Sequence, residues 1–313
     1  MLGALLFLGL VAVTLGAGGL LGSNDDEPPP TATLAPTVLP PLGLATEIPS
    51  PTAGPTPTEP RAGLWPGEGD GRTVVCLDPG HGGWDPGYTR VAYAGLPAMA
   101  EADYTLAEAY DLKARLEGHG FVVVMTRKTP NAVNEEGRDV NGDGETLADS
   151  VRAGELDEMQ ARINVCNEAE ADLLVSLHVN GFDRPSPTAV GYETWYTGSR
   201  PFGEQSERFA TLAFRALGEE MTAAGYSAIA REVNDDDVVS VDDSDPALAD
   251  HMIMTGPDVP GSIEASQMPG AIVESLFVSN DADAYFLASD AGHDAIVSAY
   301  EAAIVQYFDE YPE

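Results

Sequence analysis

The amino-acid sequence predicts an α/β fold, with a three-layer, mostly parallel open sheet and helices on both of its faces. Two observations support this prediction. Short runs rich in β-branched residues alternate along the chain with longer segments whose apolar residues recur every three or four positions. Such alternation is typical of parallel sheets, because each helix crosses a face of the sheet to connect two neighbouring strands.

The individual elements follow from the same patterns. We expect strands at Thr73–Leu77, Phe121–Thr126, Leu173–Leu177 and Val190–Tyr196, and a fifth that starts at Ala271–Val273 and continues beyond it. We expect helices at 101–117, 156–170, 203–224 and about 291–308. The first helix has the clearest periodicity, and Gly118 and Gly120 end it.

The N-terminal part of the chain does not follow this pattern. Residues 1–23 begin with an uncharged, almost entirely apolar run from Met1 to Leu21, and a membrane-spanning helix needs about 20 such residues. This segment is therefore either a secretory signal peptide or a membrane anchor. Residues 24–66, rich in proline and threonine, are predicted to be a disordered linker. The folded domain is then 67–313, secreted or attached to the membrane at the cell envelope and extracytoplasmic in either case.

Charge and cysteine content restrict the function. The chain has 51 acidic residues against 15 Lys and Arg, a formal net charge of −36, and such a surface repels phosphate backbones. Nucleic acid is therefore excluded as a partner. Cys76 and Cys166 both fall in apolar segments, so two buried thiols are favoured over a disulfide. No Cys-x-x-Cys pair is present, which argues against a thiolate zinc site.

Two of the five histidines stand where a predicted strand ends. His81 follows the first strand in a run of proline and glycines, and His178 ends the third strand. Because sites in parallel sheets form at the carboxyl ends of strands, these two histidines are candidate ligands of one metal ion. A lone histidine in such a position is more often structural, but two equivalent positions favour a shared ligand.

Two glutamates complete the candidate site. Glu101 begins the first helix just beyond the loop of His81, and a catalytic zinc needs a third protein ligand. The alternative for Glu101 is an ordinary acidic residue at a helix N-terminus. Glu274 interrupts the apolar fifth strand, and a buried carboxylate is expected to be paired, bound to metal or catalytic. The alternative for Glu274 is an exposed strand end.

Five segments carry a resemblance to a known family. In order they are DPGHGG, EADYTLAEAYDLKARLEGHGF, QARINVCNEAEADLLVSLHVNG, GYETWY and AIVESLFVSN, and together they span about 72–308. They resemble the zinc-dependent N-acetylmuramoyl-L-alanine amidases of the type-3 family. The resemblance implies a phosphorylase/hydrolase-like α/β fold, zinc held by His81, Glu101 and His178, and Glu274 as the catalytic glutamate.

The substrate that this resemblance implies is peptidoglycan. The bond cut is the amide between the lactyl group of N-acetylmuramic acid and L-alanine, in cell-wall remodelling or daughter-cell separation. Two alternatives stay open at this point. One is a wall-binding or regulatory module without efficient turnover, and the other is a zinc peptidase or deacetylase of the cell wall.

The chain departs from the family pattern at two places. Leu276 stands where the family usually has glycine, so the shape of the adjacent pocket is not carried over. The Arg-Gly stretch of the family has no clean counterpart, because Arg231–Val233 opens an acidic insertion at 231–268. Asn180 is a candidate substrate contact, with a strand-end turn as its alternative. The other histidines, His119, His251 and His293, are interpreted as non-ligands.

A second metal site is predicted between the second strand and the following helix. Asp139, Asn141 and Asp143 with Gly144 have the spacing of positions 1, 3, 5 and 6 of an EF-hand loop, which binds Ca²⁺. The twelfth position is Ser150 rather than glutamate, so Asp149, Asp157 or Glu158 would have to supply the missing carboxylate. A plain acidic turn is the alternative.

Overall fold

Six strands form one central sheet in the computed structural model, which describes residues 72–182, 189–238 and 251–310. In these ranges the strands are β1 (Val74–Pro79), β2 (Thr89–Arg90), β3 (Met99–Ala100), β4 (Val122–Met125), β5 (Leu173–Asn180), β6 (Tyr192–Tyr196), β7 (Ala230–Asp235) and β8 (Gly270–Phe277). The helices are α1 (Glu101–Gly118), α2 (Val151–Glu168), α3 (Gly203–Ala223), α4 (Asp281–Leu287) and α5 (Asp290–Asp309). The strands β2 and β3 form a separate antiparallel pair.

The strand order places the candidate residues at one edge of the sheet. Across the sheet the order is β4-β1-β5-β8-β6-β7. The first four strands run parallel, whereas β6 is antiparallel to β8 and parallel to β7. The carboxyl ends of β1, β5 and β8 therefore meet the amino ends of β6 and β7. This mostly parallel sheet confirms the predicted α/β class.

Helices cover both faces of the sheet, as predicted. On one face α1, α3 and α5 bury residues such as Leu112, Phe209 and Ile304. On the other face α2 and the segment 251–268 bury residues such as Ile163 and Met254. Each fully buried side chain of this size stabilises the fold by about 1.5–3 kcal/mol.

Four elements of the described structure are not predicted by the sequence pattern. The strands β2 and β3 have only 2 residues each, too few to show a pattern. The strand β7 lies at the edge of the sheet and is mostly exposed or half-buried, so no apolar run marks it. The helix α4 has only 7 residues, too few for a clear periodicity, and the Asn280 side chain caps its start. The helix α2 also begins earlier than predicted, at Val151, because Ser150 accepts a hydrogen bond from the N–H of Ala153.

The prediction of two free thiols is wrong, because Cys76 and Cys166 form a disulfide. The two residues face each other from β1 and α2, with a Cα–Cα distance of 5.6 Å, which is in the ordinary range for a disulfide. Both are fully buried in the same part of the core. The sequence did not reveal the pairing because 90 positions separate the two cysteines.

The predicted signal or anchor segment 1–23 and the whole predicted linker 24–66 lie outside the described residues. The domain boundaries therefore stay predictions. Residues 239–250 of the acidic insertion are also outside the described ranges. No helix within those ranges is both long and apolar enough to cross a membrane.

Candidate active site

His81 lies in a tight loop that begins where β1 ends. Its backbone φ is 62°, in the left-handed region that residues with a side chain rarely adopt, and Gly82 and Gly83 beside it also have positive φ. This conformation costs about 1–2 kcal/mol, and residues held in it concentrate at functional sites. The imidazole Nδ1 lies 2.6 Å from Oδ2 of Asp85, so the ring orientation is fixed from behind.

Glu101 joins the two predicted histidines. Its Oε1 lies 3.2 Å from Nε2 of His81 and 3.0 Å from Nδ1 of His178. The same oxygen accepts a hydrogen bond from the N–H of Val179, and Oε2 accepts one from the N–H of Tyr88. One donor atom from each of the three predicted ligands lies within 4.8 Å of the other two. The structure thus brings His81, Glu101 and His178 together.

Two glycines allow this close packing. A Cβ atom on Gly80 would lie 2.4 Å from the imidazole Cε1 of His178. A Cβ atom on Gly87 would lie 2.6 Å from both Glu101 Oε2 and the ring of His81. Since real Cβ contacts are not this short, any larger residue at either position would displace a member of the group.

The buried side chain of Arg162 holds the loop of His81 in place. Arg162 on α2 is 1% exposed, and its guanidinium donates to Oδ1 of Asp78, Oε1 of Glu158 and the backbone carbonyl of His81. Burial raises the pKa of Asp78, but Arg162 and two hydroxyl groups outweigh it and lower that pKa below its ordinary value. The loop therefore rests on a charge-paired network inside the core.

The charges of the group favour a cation. Burial lowers the pKa of His81, but Glu101 and Asp85 outweigh it and raise that pKa to about 10. Burial alone would raise the pKa of the Glu101 carboxyl, but the two histidines outweigh it and hold that pKa well below its ordinary value. The negative charges of Glu101 and Asp85 that favour a proton on His81 also favour a metal cation, which would bind in place of that proton.

Glu274 stands beside this group on the neighbouring strand. It pairs in register with His178 across β5 and β8, and it is 4% exposed. Within the described residues its Oε2 has no hydrogen-bond partner. Burial first, and then the charges of Glu101 and Glu193, raise the pKa of Glu274 well above its ordinary value. The alternative of an exposed strand end is therefore wrong for Glu274.

Glu193 lies opposite Glu274 on the antiparallel neighbour β6. Its Oε1 accepts a hydrogen bond from the amide of Asn180 at 2.9 Å, and its Oε2 accepts one from Nε of Arg231 at 2.7 Å. The side-chain oxygen of Asn180 accepts from the N–H of Gly181. Both ends of this amide are used inside the protein, which favours the strand-end alternative, and a contact of Asn180 with substrate stays a prediction.

The remaining histidines lie apart from the group. His119 and His293 pair with surface carboxylates on α5 and α1. His251 is half-buried, and its Nδ1 lies 3.3 Å from Oδ1 of Asp236. With Asp237 these two residues form the second group of donor atoms within 4.8 Å among the described residues. This second group lies at the carboxyl end of β7, at the edge of the sheet opposite to the His81 group.

Hydrogen bonds between its own residues hold the predicted calcium loop. Asp139 accepts hydrogen bonds from the N–H groups of Gly142 and Gly144, and Asn141 accepts one from the N–H of Asp143.

Leu276, the departure from the family glycine, is fully buried in the core cluster that the sheet forms with α1, α3 and α5. It therefore fills space between sheet and helices rather than lining the site.

Three residues around the site were not singled out from the sequence. Asp85 follows His81 by four positions in the same glycine-rich loop, a spacing that suggests a partner for the imidazole. Glu193 interrupts an apolar strand, which is the signal that identified Glu274. Arg162 lies on the buried face of α2, where a cation requires a carboxylate partner.

Known proteins share both sequence and fold with this chain. Residues 75–306 match the family model described as N-acetylmuramoyl-L-alanine amidase. The chain is 27% identical over 237 residues to the germination-specific N-acetylmuramoyl-L-alanine amidase of Bacillus subtilis (strain 168), a match that covers 76% of this chain and 80% of that protein. It is 46% identical over 74 residues to the probable cell wall amidase LytH of Staphylococcus aureus, which is 23% of this chain and 24% of that protein.

Two solved structures have a similar fold. The CwlD amidase from Clostridioides difficile, in complex with the GerS lipoprotein, matches with a TM-score of 0.55 and 20% identity, over 76% of this chain and 99% of that chain. The N-acetylmuramoyl-L-alanine amidase AmiC2 of Nostoc punctiforme matches with a TM-score of 0.52 and 20% identity, over 77% of this chain and 100% of that chain.

Proposed function

This chain belongs to the N-acetylmuramoyl-L-alanine amidase family, whose reaction is hydrolysis of the amide between the muramic-acid lactyl group and L-alanine in peptidoglycan, and we propose that it uses one zinc ion for this reaction. His81, Glu101 and His178 hold the ion, and Glu274 is the catalytic base. The observation that carries the proposal is the convergence of three donor atoms beside Glu274 on the next strand, a buried carboxylate whose Oε2 has no hydrogen-bond partner among the described residues.

The donor set fits zinc. Two imidazole nitrogens and one carboxylate oxygen are a known ligand set of catalytic zinc sites, which keep a fourth position for water or substrate. Asp85 accepts from the other nitrogen of His81, and such a carboxylate partner fixes the tautomer of a metal-binding histidine. When bound, zinc polarises a carbonyl group and lowers the pKa of water towards 7.

Glu274 moves the proton in this proposal. Its Oε2 has no hydrogen-bond partner within the described ranges, so it can accept a proton from the attacking water. The same oxygen then gives that proton to the nitrogen of the leaving L-alanine, which regenerates the carboxylate. A divalent cation beside Glu274 opposes the effect of burial on its pKa and favours the ionised form that a base requires.

Measurements of zinc content and of amidase activity distinguish the role of Glu274 from that of the zinc ligands. Glu274→Gln should retain one zinc per chain and lose about 10²–10⁴-fold in turnover of purified peptidoglycan, the usual contribution of a general base. His81→Ala should lose zinc and activity together. Glu232→Gln is the matched control, because Glu232 is an exposed glutamate on β7, and it should behave as the wild type.

The products distinguish the proposed reaction from its alternatives. Mass spectrometry of the digested wall should show new free amino termini on L-alanine that disappear when zinc is chelated. Release of acetate or of D-amino acids would instead identify a deacetylase or a peptidase. Binding of wall without any zinc-dependent product would identify a binding module, and full zinc content in His81→Ala would remove that residue from the site.

We further propose an extracytoplasmic location, with residues 1–23 as a signal peptide or membrane anchor. The Cys76–Cys166 disulfide supports this location, since such bonds form and persist outside the reducing cytosol. Fractionation of a bacterial host should place the full chain in the membrane or the medium. Recovery of the protein from the cytosol with an intact N-terminus would contradict the proposal.

A further inference from the structure

Asp157 on α2 is a fully buried carboxylate with one unused oxygen. Its Oδ1 accepts hydrogen bonds from the N–H groups of Val140 at 2.6 Å and Asn141 at 3.2 Å. In the described part of the chain its Oδ2 has no hydrogen-bond partner. A buried carboxylate oxygen without a partner is unfavourable, so this position favours a positively charged or hydrogen-donating group.

The segment that Asp157 holds is the acidic loop between β4 and α2. Since Oδ1 binds the backbone directly between Asp139 and Asn141, the carboxylate lies against the start of this loop. Gly144 at the sixth position has a φ of 90°, which allows the sharp turn that such a loop needs. By itself an acidic loop is only a turn, but the unpartnered oxygen of Asp157 is a second, independent observation that points to a bound cation.

Of the three acids that follow the loop, Asp157 is the one that combines full burial with an oxygen that has no hydrogen-bond partner among the described residues. Both oxygens of Glu158 accept backbone N–H groups, and one also accepts from Arg162. Oδ2 of Asp149 accepts from the backbone and the hydroxyl of Thr146. Asp149 is exposed, so solvent reaches its other oxygen, whereas the buried Oδ2 of Asp157 is the one that requires a partner.

We propose that Asp139, Asn141, Asp143 and Asp157 bind one calcium ion, at a site separate from the His81 group and beyond the proposed amidase function. All four side chains offer oxygen, which is the donor that hard cations prefer, whereas zinc prefers nitrogen and sulfur. Calcium accepts irregular geometry with six to eight ligands, while magnesium demands a near-ideal octahedron. The site is empty in this structure, and its three carboxylates do not form a group within 4.8 Å, so calcium would draw them together.

The proposed ion would connect the loop to the support of the candidate active site. Asp157 directly precedes Glu158 on α2, and Glu158 holds the guanidinium of Arg162. Arg162 in turn donates to the backbone carbonyl of His81. Calcium at Asp157 therefore fixes the part of α2 that carries this network, which is a structural role rather than a catalytic one.

Calorimetric titration of calcium into the zinc-loaded full chain tests the site. The wild type should bind one calcium per chain, with a dissociation constant in the micromolar to millimolar range of related loops, and calcium should raise its melting temperature. Asp157→Asn preserves the shape and the oxygen that accepts from the loop but replaces the free oxygen with an amide. This variant should bind calcium at least about tenfold more weakly, and the exposed Asp143→Asn should do the same.

Asp149→Asn is the matched control, because it removes a charge from the same insertion outside the proposed ligand set, and it should bind calcium as the wild type does. Zinc content and the circular dichroism spectrum verify that each variant is folded. If Asp157→Asn does not fold, the calcium affinity of Asp143→Asn tests the proposal, and an unchanged affinity in that variant overturns it. The proposal is also overturned if the wild type binds no calcium at about 10 mM, above the range of such sites, or binds magnesium equally well.

Discussion

Replacing Cys76 or Cys166 with alanine removes the disulfide that joins β1 to α2. Because the bridge joins residues separated by 90 positions, the chain-entropy relation predicts that the cross-link contributes about 4.6 kcal/mol at 25 °C. Each buried sulfur that is removed adds on the order of 1 kcal/mol of lost packing. Each single variant should therefore lose about 5–6 kcal/mol of unfolding free energy, and the double variant only about 6–7 kcal/mol.

The wild type, the two single variants and the double variant form a double-mutant cycle. The decisive measurement is whether the losses of unfolding free energy in the single variants add up to the loss in the double variant. Urea unfolding of the full zinc-loaded chain, followed by the fluorescence of the buried Trp195, gives the free energy of each variant without reductant. Thiol titration of the denatured proteins is the control, with no free thiol in the wild type and one in each single variant. The slope of the unfolding transition should also increase, since the unfolded chain without the bridge exposes more surface.

Two independent thiols would give a different result. Each single substitution would then cost about 1 kcal/mol, and the double variant would lose the sum of the two. That outcome, or two free thiols in the denatured wild type, would refute the inference that the pair is bonded.

Three further predictions test the packing around the site. Gly80→Ala should weaken zinc binding and lower activity by about 10²-fold, because the new Cβ would displace the ring of His178. Gly118→Ala is the control and should change neither property, because a Cβ at Gly118 meets open space. Arg162→Met should cost about 3–5 kcal/mol of unfolding free energy by leaving buried carboxylates unpaired, and a loss below about 1 kcal/mol in urea unfolding would contradict the network. Burial and a neighbouring carboxylate raise the pKa of Glu108 from 4.5 to about 8, so the stability that its protonated form contributes is lost as the pH rises from about 4.5 through about 8. Glu108→Gln should remove this dependence, and equal pH dependence of the urea midpoints of variant and wild type would argue against it.

The sequence by itself determined the fold class and the main members of the candidate site. Periodicity and apolar runs located the long helices and the strands of the sheet interior, because most of those elements bury an apolar face. The start of α2 was located less well, and its buried face includes Asp157, Glu158 and Arg162. The convergence of His81 and His178 was also predictable, since the carboxyl ends of parallel strands meet at one edge. Glu274 was recognisable because a charge in an apolar strand has few stable roles.

Only the tertiary structure decided which distant residues meet. The disulfide, the position of Arg162 under the loop of His81 and the pairing of Glu193 with Arg231 all join residues from different elements. Local patterns contain no information on strand order or register, and a shift of one residue in register would turn these side chains to the opposite face of the sheet. The choice of Asp157 over its acidic neighbours has the same cause, because which carboxylate lies against the loop depends on how α2 packs on the sheet.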